Sequence, residues 1–382
     1  MCQYKFYKSI LIMKLFYFLA LTILLFCSSC KNTKEQNDKQ IQIDLSSTQP
    51  INFKEIVEKI TLIPLETNDS CLIKRISQLE ASNNYFFINN DMKEVLIFDK
   101  HGKFINSSIK NKEKNYSTIA NMDITNNELI SIFNGNTIYE YNTSMSLVNK
   151  YKIMQPVAIN FSQEMPRHLK LDDYTYLMRD DENTFIYSIK EQKILNHKRE
   201  FFHQNMWTGI VNKHRFLKQD GQVYFSPAYI CDTLYLLDKK HYMMKPFIIY
   251  NMGEDGINLN ELPKDMNIQY YANYLFQTDK YFLSDKIHLP YADLAFILHP
   301  KDNKSYVTYN NQSGTFKIYE NGEKCFPIPH SVFNNTLIYA AMPSEISKYV
   351  DSTLIDKKEW QLIKNLEEDD NQVLICYIMK SK

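Results

Sequence analysis

The chain has 382 residues, 44 basic and 44 acidic side chains, a formal net charge of zero, and 14% aromatic residues. It has no basic stripe and no RNP-like or helix-turn-helix signature, so we predict no nucleic-acid partner. A chain of this length exceeds what one two-layer core usually holds, which predicts either two domains or an internal repeat.

An apolar run opens the chain, from Ile10 to Phe26, and is interrupted only by Lys14 and one threonine. Its uninterrupted part, residues 15–26, has the length of a signal-peptide core and falls short of the roughly 20 residues that span a bilayer. Three lysines provide the positive flank of an export signal. Met13 serves equally well as the start. We therefore interpret residues 1–29 as a signal peptide.

Two small residues, Ser28 and Ser29, stand directly before Cys30. This resembles the lipobox of bacterial lipoproteins, in which the cysteine is acylated and becomes the first residue after cleavage. Cys27 departs from the Leu-type residue usual in that motif. The alternatives are a plain transmembrane anchor and a signal cleaved without lipidation. We predict lipid attachment at Cys30 and a cell-envelope location, at the outer membrane, on its periplasmic or exterior face.

Residues 30–47 are polar, lack a sustained apolar period and are predicted to be a tether. Removal of residues 1–29 takes away three lysines and no acid, so the mature charge is 41 − 44 = −3. Cys71, Cys231, Cys325 and Cys376 are far apart and form no C-x-x-C pair. Disulfides between them are possible in an exported protein, but we favour buried free thiols within strands.

A repeating pattern begins after the tether: an aromatic or β-branched strand, an Asn/Asp turn, a second such strand and another polar turn. The equivalent starting positions are Tyr85, Leu129, Tyr174, Val223, Tyr281 and Leu337, at spacings of 44 to 58 residues. Four-stranded propeller blades repeat every 40–50 residues, and loop insertions lengthen some of them. The repeat therefore predicts an all-β fold, a six-bladed β-propeller over residues 48–382.

Turn residues and aromatic residues fit this interpretation. His-Gly at 101–102 and Asn-Gly-Asn at 134–136 supply positive-φ positions for tight turns. With only eight glycines, we expect asparagine to fill many of the remaining turns. The 27 tyrosines and 23 phenylalanines are then expected to fill the space between blades rather than form a stacking platform.

The last repeat departs from the pattern, since residues 343–370 place apolar side chains at helical spacing. We predict one or two helices inserted in the last blade, followed by a strand over Gln372 to Met379. A ring of blades must be closed, because an open ring leaves two sheet edges unpaired. The early strand at Lys59 to Thr67 is expected to share a blade with the C-terminal strand.

Several segments carry a family resemblance: "ITLIPLETNDSCLIKRISQL", the hairpin "FDKHGKF", "DTLYLLD" and the ending "LEEDDNQVLICYIMK". In this order they resemble the six-bladed β-propeller lipoproteins of Bacteroidetes, a family of largely unknown function, over about residues 41–382. These relatives usually have a "GxGPGEY"-type turn where this chain has "IKNKEKNYST" (residues 109–118). The resemblance implies the fold and the anchor, and it supplies no catalytic residues.

Motifs of catalysis are absent from the sequence: there is no G-x-S-x-G, H-E-x-x-H, Walker loop or G-x-G-x-x-G. Oxygen side chains near turns could converge on a calcium ion in a propeller channel. The side chains considered are Asn90, Asp91, Asp180, Asp181 and Asp279. We favour the simpler interpretation that these are solvated turn residues, and we therefore assign no catalytic, metal or cofactor-binding residue.

The connecting segment His197 to Gly209 is unusual because it holds two histidines, two phenylalanines and one of only two tryptophans. Its His203 and Trp207 could stack on a sugar or a peptide at the propeller mouth. Burial of these aromatic rings between blades is the simpler alternative. The segment 268–276, "IQYYANYLF", is expected to be an inner strand.

Three functions remain open at this point. The leading hypothesis is a lipid-anchored, non-catalytic propeller that binds a ligand or protein at the envelope, with His203 and Trp207 as candidate ligand-binding residues. The runner-up is a metal-dependent envelope hydrolase or lyase acting on carbohydrate or a small ester through the channel. A third possibility is a subunit of an outer-membrane uptake system. The expected partners are thus the membrane, uptake proteins, a glycan or a peptide.

Overall fold

A computed structural model describes most of the chain from residue 39 onward. The described ranges are 39–42, 56–110, 116–119, 121–154, 167–179, 183–199, 216–219, 221–225, 233–251, 275–277, 281–288, 293–300, 306–310, 315–318, 324–327 and 329–380. The chain divides into two compact units, residues 1–39 and 40–382. Only Lys39 of the first unit is described, so the architecture below is that of the second unit.

The described strands form antiparallel sheets in chain order. Sheet 1 contains β3 (Ile76–Ala81), β4 (Tyr85–Asn90), β5 (Glu94–Asp99) and β6 (Phe104–Ser107). Sheet 2 contains β7 (Met122–Ile124), β8 (Ile130–Asn134), β9 (Thr137–Tyr141) and β10 (Leu147–Lys152). Sheet 3 contains β11 (Arg167–Lys170), β12 (Thr175–Arg179), β13 (Asn183–Ser188) and β14 (Lys193–Arg199).

The remaining sheets complete the order. Sheet 4 contains β15 (Phe216–Gln219), β16 (Gln222–Phe225), β17 (Thr233–Asp238), β18 (Met243–Asn251) and, outside β18, β1 (Lys39–Gln42). Sheet 5 contains β19 (Leu275–Gln277), β20 (Tyr281–His288), β21 (Asp293–Pro300) and β22 (Tyr306–Asn310). A two-stranded hairpin follows, β23 (Thr315–Ile318) with β24 (Lys324–Pro327). The closing sheet contains β25 (Ser331–Phe333), β26 (Thr336–Ala341), β27 (Val373–Met379) and β2 (Val57–Pro64).

The first strands of the sheets contact one another, which gives the fold its propeller-like arrangement. Strand β3 contacts β7, β7 contacts β11, β15 contacts β19, β19 contacts β25, and β25 contacts β3. The prediction of an all-β propeller is confirmed, but the predicted count of six four-stranded blades is wrong. The described residues form five four-stranded sheets, because sheet 4 gains β1 as a fifth strand.

The six repeat starts identified from the sequence all fall at the same position within their sheets. Each lies within one residue of the start of the second strand of its sheet, namely β4, β8, β12, β16, β20 and β26. The second and third strands are the buried central pair, as in β4 and β5, whose side chains are almost all buried. Aromatic and β-branched residues recur there because these strands are covered on both faces.

The hydrophobic cores lie between neighbouring sheets. Sheet 1 and the closing sheet share one core around Phe86, Phe98 and Leu374. Other cores join sheets 1 and 2, sheets 2 and 3, and sheets 3 and 4. The largest fully buried side chains are all tyrosine or phenylalanine in the described ranges. The expectation that aromatic residues fill the space between blades is confirmed there.

The outer rim of the ring is fastened by a contact that recurs between sheets. The turn joining the third and fourth strands of one sheet bonds to the chain near the fourth strand of the preceding sheet. Four such pairs occur in the described chain: Glu66 with Gly102, Asn106 with Thr143, Met154 with Gln192, and Asn196 with Tyr242. Because the Glu66–Gly102 bond links the closing sheet to sheet 1, this contact also closes the ring.

Left-handed backbone conformations occur at these rim turns, but asparagine does not supply them. Gly102, Met145, Gln192 and Tyr242 all have positive φ. Among the described residues with positive φ, only Asn334 is an asparagine. The expectation that asparagine fills these turns is therefore wrong, because the contacts around each turn override a conformational cost of about 1 kcal/mol. The glycine turns at 102 and 135 were predicted correctly.

The two ends of the chain meet in the closing sheet, as predicted. Strand β2 pairs with β27 from Val57 opposite Met379 to Pro64 opposite Val373. Asn371 reinforces this junction from a buried position. Its Oδ1 accepts a hydrogen bond from Ile73 N at 2.8 Å, and its Nδ2 donates to the carbonyls of Glu66 and Cys71 at 2.7 and 2.9 Å.

Replacing Asn371 should therefore weaken ring closure. Asn371→Ala leaves one backbone N–H and two carbonyls without their partner, so we expect a loss of about 2–3 kcal/mol in unfolding free energy. The measurement is the urea midpoint followed by tryptophan fluorescence and far-UV circular dichroism. Asn365→Ala, at an exposed position, is the control and should leave the midpoint unchanged. Equal midpoints for both variants would contradict this role.

The predicted helical insertion is present between β26 and β27. It comprises α1 (Ile346–Tyr349), α2 (Lys357–Ile363) and two short 3₁₀ turns, Pro343–Glu345 and Ser352–Leu354. The insertion covers the outer edge of the closing sheet: Ile355 bridges Ile60, and Glu359 Oε2 accepts the N–H of Leu62 at 3.1 Å. Such a cover protects an edge strand from pairing with other chains.

Three further findings concern the N-terminal segment, the thiols and the helices. Strand β1 lies inside the segment 30–47, which was predicted to be a tether. Four residues of that segment therefore pair with sheet 4. Cys71 and Cys376 are buried and free, as predicted, and burial raises the pKa of the Cys376 thiol to about 12. Of the helices in the described ranges, none has the length and apolar character needed to cross a bilayer.

Candidate functional site

Most of the site residues predicted from sequence lie outside the described residues. This holds for the lipid-attachment residue Cys30 and for the ligand-binding residues His203 and Trp207. It also holds for the turn residues Asp180, Asp181 and Asp279, and for the segment 268–274 of the predicted inner strand. These predictions stay predictions. Residues 275 and 276 of that segment do belong to β19, a first strand.

Asn90 and Asp91, also considered as calcium ligands, have different structural roles. Asn90 is buried, and its Oδ1 accepts the N–H groups of Lys74 and Arg75 at 2.9 and 3.3 Å. The interpretation of Asn90 as a solvated turn residue is therefore wrong. Asp91 sits in the β4–β5 turn with φ of 52° and pairs with Arg75 and Lys93 at 3.0 and 2.9 Å.

A cluster of polar side chains lies along the first strands of sheets 1, 2 and 3, where the sheets meet, and includes Glu140 from β9. We call this cluster the polar seam; it comprises Gln78, Glu80, Asn121, Asp123, Glu140, His168 and Lys170. The strand alternation places Gln78 and Glu80 on one face of β3 and His168 and Lys170 on one face of β11. Four members of the polar seam are buried: Gln78, Asp123, Glu140 and His168.

Two amide side chains of the seam, Gln78 and Asn121, bond to the backbone of the next sheet. Gln78 Oε1 accepts the N–H of Met122 at 2.9 Å, and Gln78 Nε2 donates to the Met122 carbonyl at 2.6 Å. Asn121 Oδ1 accepts the N–H of His168 at 3.3 Å. Gln78 and Asn121 occupy equivalent positions in their sheets. The seam therefore repeats one contact, here called a clasp: an amide side chain hydrogen-bonded to the backbone of the next first strand.

Acidic side chains accompany the clasps at the equivalent positions Glu80 and Asp123. Burial raises the pKa of Glu80 to about 8, opposed by the hydrogen bond from Gln78 and assisted by the charge of Asp123. Burial likewise raises the pKa of Asp123 to about 6, although its Oδ2 accepts the N–H of Lys170 at 2.8 Å. Glu80 is therefore mostly protonated at neutral pH.

A buried ion pair joins sheets 2 and 3. Glu140 is fully buried, and its Oε1 accepts hydrogen bonds from Lys170 Nζ at 2.7 Å and from the Tyr176 hydroxyl at 2.8 Å. Its Oε2 accepts from Asn149 Nδ2 at 2.8 Å. The carboxylate therefore has a cation and two neutral donors, which is the arrangement a buried charge requires.

A buried histidine completes the seam. His168 Nε2 lies 2.9 Å from Ser131 Oγ, and burial lowers the pKa of His168 to about 4. A serine beside a neutral histidine has the composition of a nucleophile and its base. Both residues are almost wholly buried, at 0% and 2% exposure, so a substrate has no access to them. The pair serves to join β8 to β11.

The raised pKa of Glu80 predicts how stability depends on pH. The folded state keeps a proton on Glu80 up to about pH 8, whereas the unfolded state releases it near 4.5. This contribution to stability is fully present below 4.5 and is lost as pH rises through 8. His168 acts oppositely: its pKa is lowered from 6.5, so its contribution is lost as pH falls through 6.5 toward 4.

Glu80→Gln should therefore flatten the upper part of the stability profile. Between pH 5 and 8 we expect the variant to lose about 3 kcal/mol less stability than the parent, because the folded parent holds one more proton than the unfolded chain over most of this window and each pH unit is then worth about 1.4 kcal/mol. Urea midpoints at pH 5, 6.5 and 8 measure this. Glu58→Gln, at an exposed position, should leave the parent profile intact. An unchanged slope for Glu80→Gln would contradict the assignment.

The seam has structural rather than catalytic geometry. Within the described ranges, no group of three or more His, Cys, Asp or Glu side chains could hold a metal ion. Sequence reasoning missed the seam, although a signal existed. Gln78-x-Glu80 and Asn121-x-Asp123 share an amide-x-acid pattern 43 positions apart, just before two of the repeat starts.

A family model matches residues 39–378, and it is described as a domain of unknown function, DUF4934. The chain belongs to this family. The match covers all sheets described above, so the propeller fold is the family's domain in this chain. It begins at Lys39, the first residue of β1, and ends within β27. No curated protein matches the sequence.

A solved structure supports the fold. A Bacteroides fragilis protein described as a candidate exported protein is similar, with a TM-score of 0.65 and 16% identity over 89% of this chain and 99% of that one. At this identity the likeness shows a shared fold. The WD40 repeats of RRP9 align with a TM-score of 0.44 and 10% identity over 87% of this chain and 100% of that one, too low to support an argument.

Proposed function

We propose that this protein is a cell-envelope lipoprotein, attached through Cys30, whose propeller binds a ligand or a partner protein without catalysing a reaction. The apolar segment before Cys30 supports export, and the fold shared with a candidate exported Bacteroides fragilis protein is consistent with it. The binding role rests on one observation, the unequal lengths of the connections at the two ends of the ring.

Connection lengths differ sharply between the two ends. In an antiparallel sheet, the start of the first strand and the end of the fourth strand lie at one end, and the first-to-second and third-to-fourth turns lie at the other. The strand bounds leave 11 to 23 residues in each connection between successive sheets, but only two to five in each turn of the opposite end.

Long connections on a rigid scaffold are where binding residues concentrate. The helical insertion leaves β26 at the same end as the long connections, because it joins the second strand to the third. The segment carrying His203 and Trp207 joins the end of β14 to the start of β15, and both strand ends belong to the long-connection end. We propose this end as the recognition surface, with His203 and Trp207 in contact with a glycan or peptide.

The polar seam is consistent with a binding role, because its side chains bond across the sheet junctions: Gln78 to Met122, His168 to Ser131 and Lys170 to Glu140. A rigid junction between sheets holds the loop ends at fixed separations, which reduces the entropy lost on binding. The hydrolase alternative would instead need oxygen ligands that converge on a metal ion.

The experiment is a glycan and peptide array screen with the full chain, followed by titration of each hit. Trp207→Ala should weaken a hit by about tenfold or more, the loss expected for a stacked aromatic anchor. Tyr174→Ala is the matched control, since Tyr174 is exposed in a first-to-second-strand turn at the opposite end. Equal losses in both variants, or turnover of the bound compound, would contradict the proposal. Mass spectrometry of the processed N-terminus tests acylation of Cys30.

A further inference from the structure

The rim where sheets 3 and 4 meet is strongly basic. Residues 190–199, comprising β14 and part of its preceding turn, and residues 238–245, around the β17–β18 turn, hold seven Lys or Arg and two acids, 7 − 2 = +5. The whole chain balances 44 basic residues against 44 acidic ones. We call these two segments the basic rim.

The two segments form one surface. Asn196 Nδ2 donates to the Tyr242 carbonyl at 2.7 Å, so β14 touches the β17–β18 turn. Basic side chains on both segments are exposed, with Lys193 and Lys245 at 58% and 55%. Met243 adds an exposed apolar side chain at the start of β18.

The acids of the basic rim are already paired. Glu191 contacts Lys193 at 2.7 Å. Asp238 contacts both Lys245 and His241, at 2.8 and 2.9 Å, and these hydrogen bonds lower the pKa of Asp238 well below its usual range. Lys190 and Lys240 are also exposed and raise the positive potential of the surface.

The corresponding turn of sheet 1 has a similar sequence but uses its lysine differently. In residues 99–104, Lys100 Nζ lies 4.2 Å from the centre of the Phe86 ring and 4.7 Å from that of Phe333. That lysine is thus engaged with aromatic rings of sheet 1 and the closing sheet. Lys103 of the same turn is exposed, which makes it a matched comparison for Lys240.

The N-terminal segment joins the fold at sheet 4, whose β17–β18 turn belongs to the basic rim. Strand β1 pairs with β18, the strand that starts within the rim, and it begins at Lys39. Eight residues lie between Cys30 and Lys39, and a fully extended chain over these nine residue-to-residue steps spans at most about 30 Å. A lipid on Cys30 would therefore keep the outer edge of sheet 4 close to the membrane.

From this charge, exposure and tether length, we propose that the basic rim is the membrane-facing surface of the protein and binds the phosphate groups of anionic lipids. This inference rests on the proposed lipid attachment. Lysine side chains near a negatively charged lipid surface are attracted to it, and one acyl-bearing residue together with a basic patch gives stable attachment. Exposed Met243 can enter the headgroup layer between the lysines.

Lysine acetylation footprinting of the full chain tests this inference. The protein is reconstituted in phosphatidylethanolamine vesicles with or without phosphatidylglycerol, and acetylation rates are read by mass spectrometry. With phosphatidylglycerol, the acetylation rates of Lys193 and Lys240 should fall to about a third of their former value or lower. This is the order expected for lysines held at an anionic surface. Lys103 should keep its rate. The double variant Lys190→Glu with Lys245→Glu should remove the protection of Lys193.

Each result decides the proposal. Selective protection of the rim that requires phosphatidylglycerol supports it. Equal rates for Lys240 and Lys103, or equal protection without phosphatidylglycerol, overturns it. Vesicle flotation of the parent and Cys30→Ser variants separates the two hypotheses. If the parent floats by means of Cys30 but shows no rim protection, the basic rim is wrong and the lipid anchor stands. If flotation does not depend on Cys30, the anchor is wrong.

Discussion

Gly102→Ala should be among the most destabilising single substitutions in this protein. Gly102 has φ of +84°, and a Cβ built there would lie 2.0 Å from the Pro64 carbonyl oxygen. Pro64 ends β2, so relief of the clash must move the outer strand of the closing sheet. The same movement stretches the 2.8 Å hydrogen bond from Glu66 N to the Gly102 carbonyl. We expect a loss of about 3 kcal/mol or more, since left-handed strain alone costs about 1–3.

Gly135→Ala separates backbone strain from the clash. Gly135 also has a positive φ, +62°, but a Cβ there would meet no atom within 4 Å. Its expected loss is about 1 kcal/mol, the strain of a left-handed alanine. Urea unfolding of both variants gives the comparison. If Gly102→Ala loses no more than Gly135→Ala, the contact between the sheet 1 turn and β2 does not hold the ring closed.

The repeat and the closure were predictable from sequence because both depend on local patterns. Aromatic and β-branched runs at regular spacing mark the central strands, and the strand that opens the domain needs a partner at the chain's other end. The repeat starts at Tyr85 and Tyr281 coincide with β4 and β20. The fifth strand of sheet 4 was not predictable, since β1 lies in a polar segment and its pairing is a long-range backbone contact.

The candidate site was harder to predict for a related reason. The residues considered as calcium ligands lie near turns, where polar residues are common, whereas most of the polar seam lies along first strands and Glu140 lies on β9. Gln78 and His168 are polar residues in strands, and their partners are 44 and 37 residues away, in the next or the previous sheet. Such pairs depend on how one sheet packs against the next. A single sequence shows the spacing between the two residues but does not show which sheet faces pack together.

Lys170→Met should be comparably severe, for an electrostatic reason. Lys170 is the only cation with a hydrogen bond to Glu140 among the described residues, and its side chain is only 12% exposed. Methionine keeps most of the volume but leaves the fully buried carboxylate with neutral donors alone. Removing one partner of a buried ion pair costs about 3–5 kcal/mol. We therefore expect the free energy of unfolding, measured by urea titration, to fall by that amount.

A double variant distinguishes loss of the ion pair from loss of packing. If the cost arises from an uncompensated charge, Lys170→Met combined with Glu140→Gln should recover about half of it or more, because the neutral amide no longer needs a cation. Lys348→Met removes an exposed lysine that contacts Glu345 at 3.2 Å and should cost less than about 1 kcal/mol. If the double variant is no more stable than Lys170→Met, Lys170 contributes through its packed side chain instead. The junction of sheets 2 and 3 would then be held by its aromatic core.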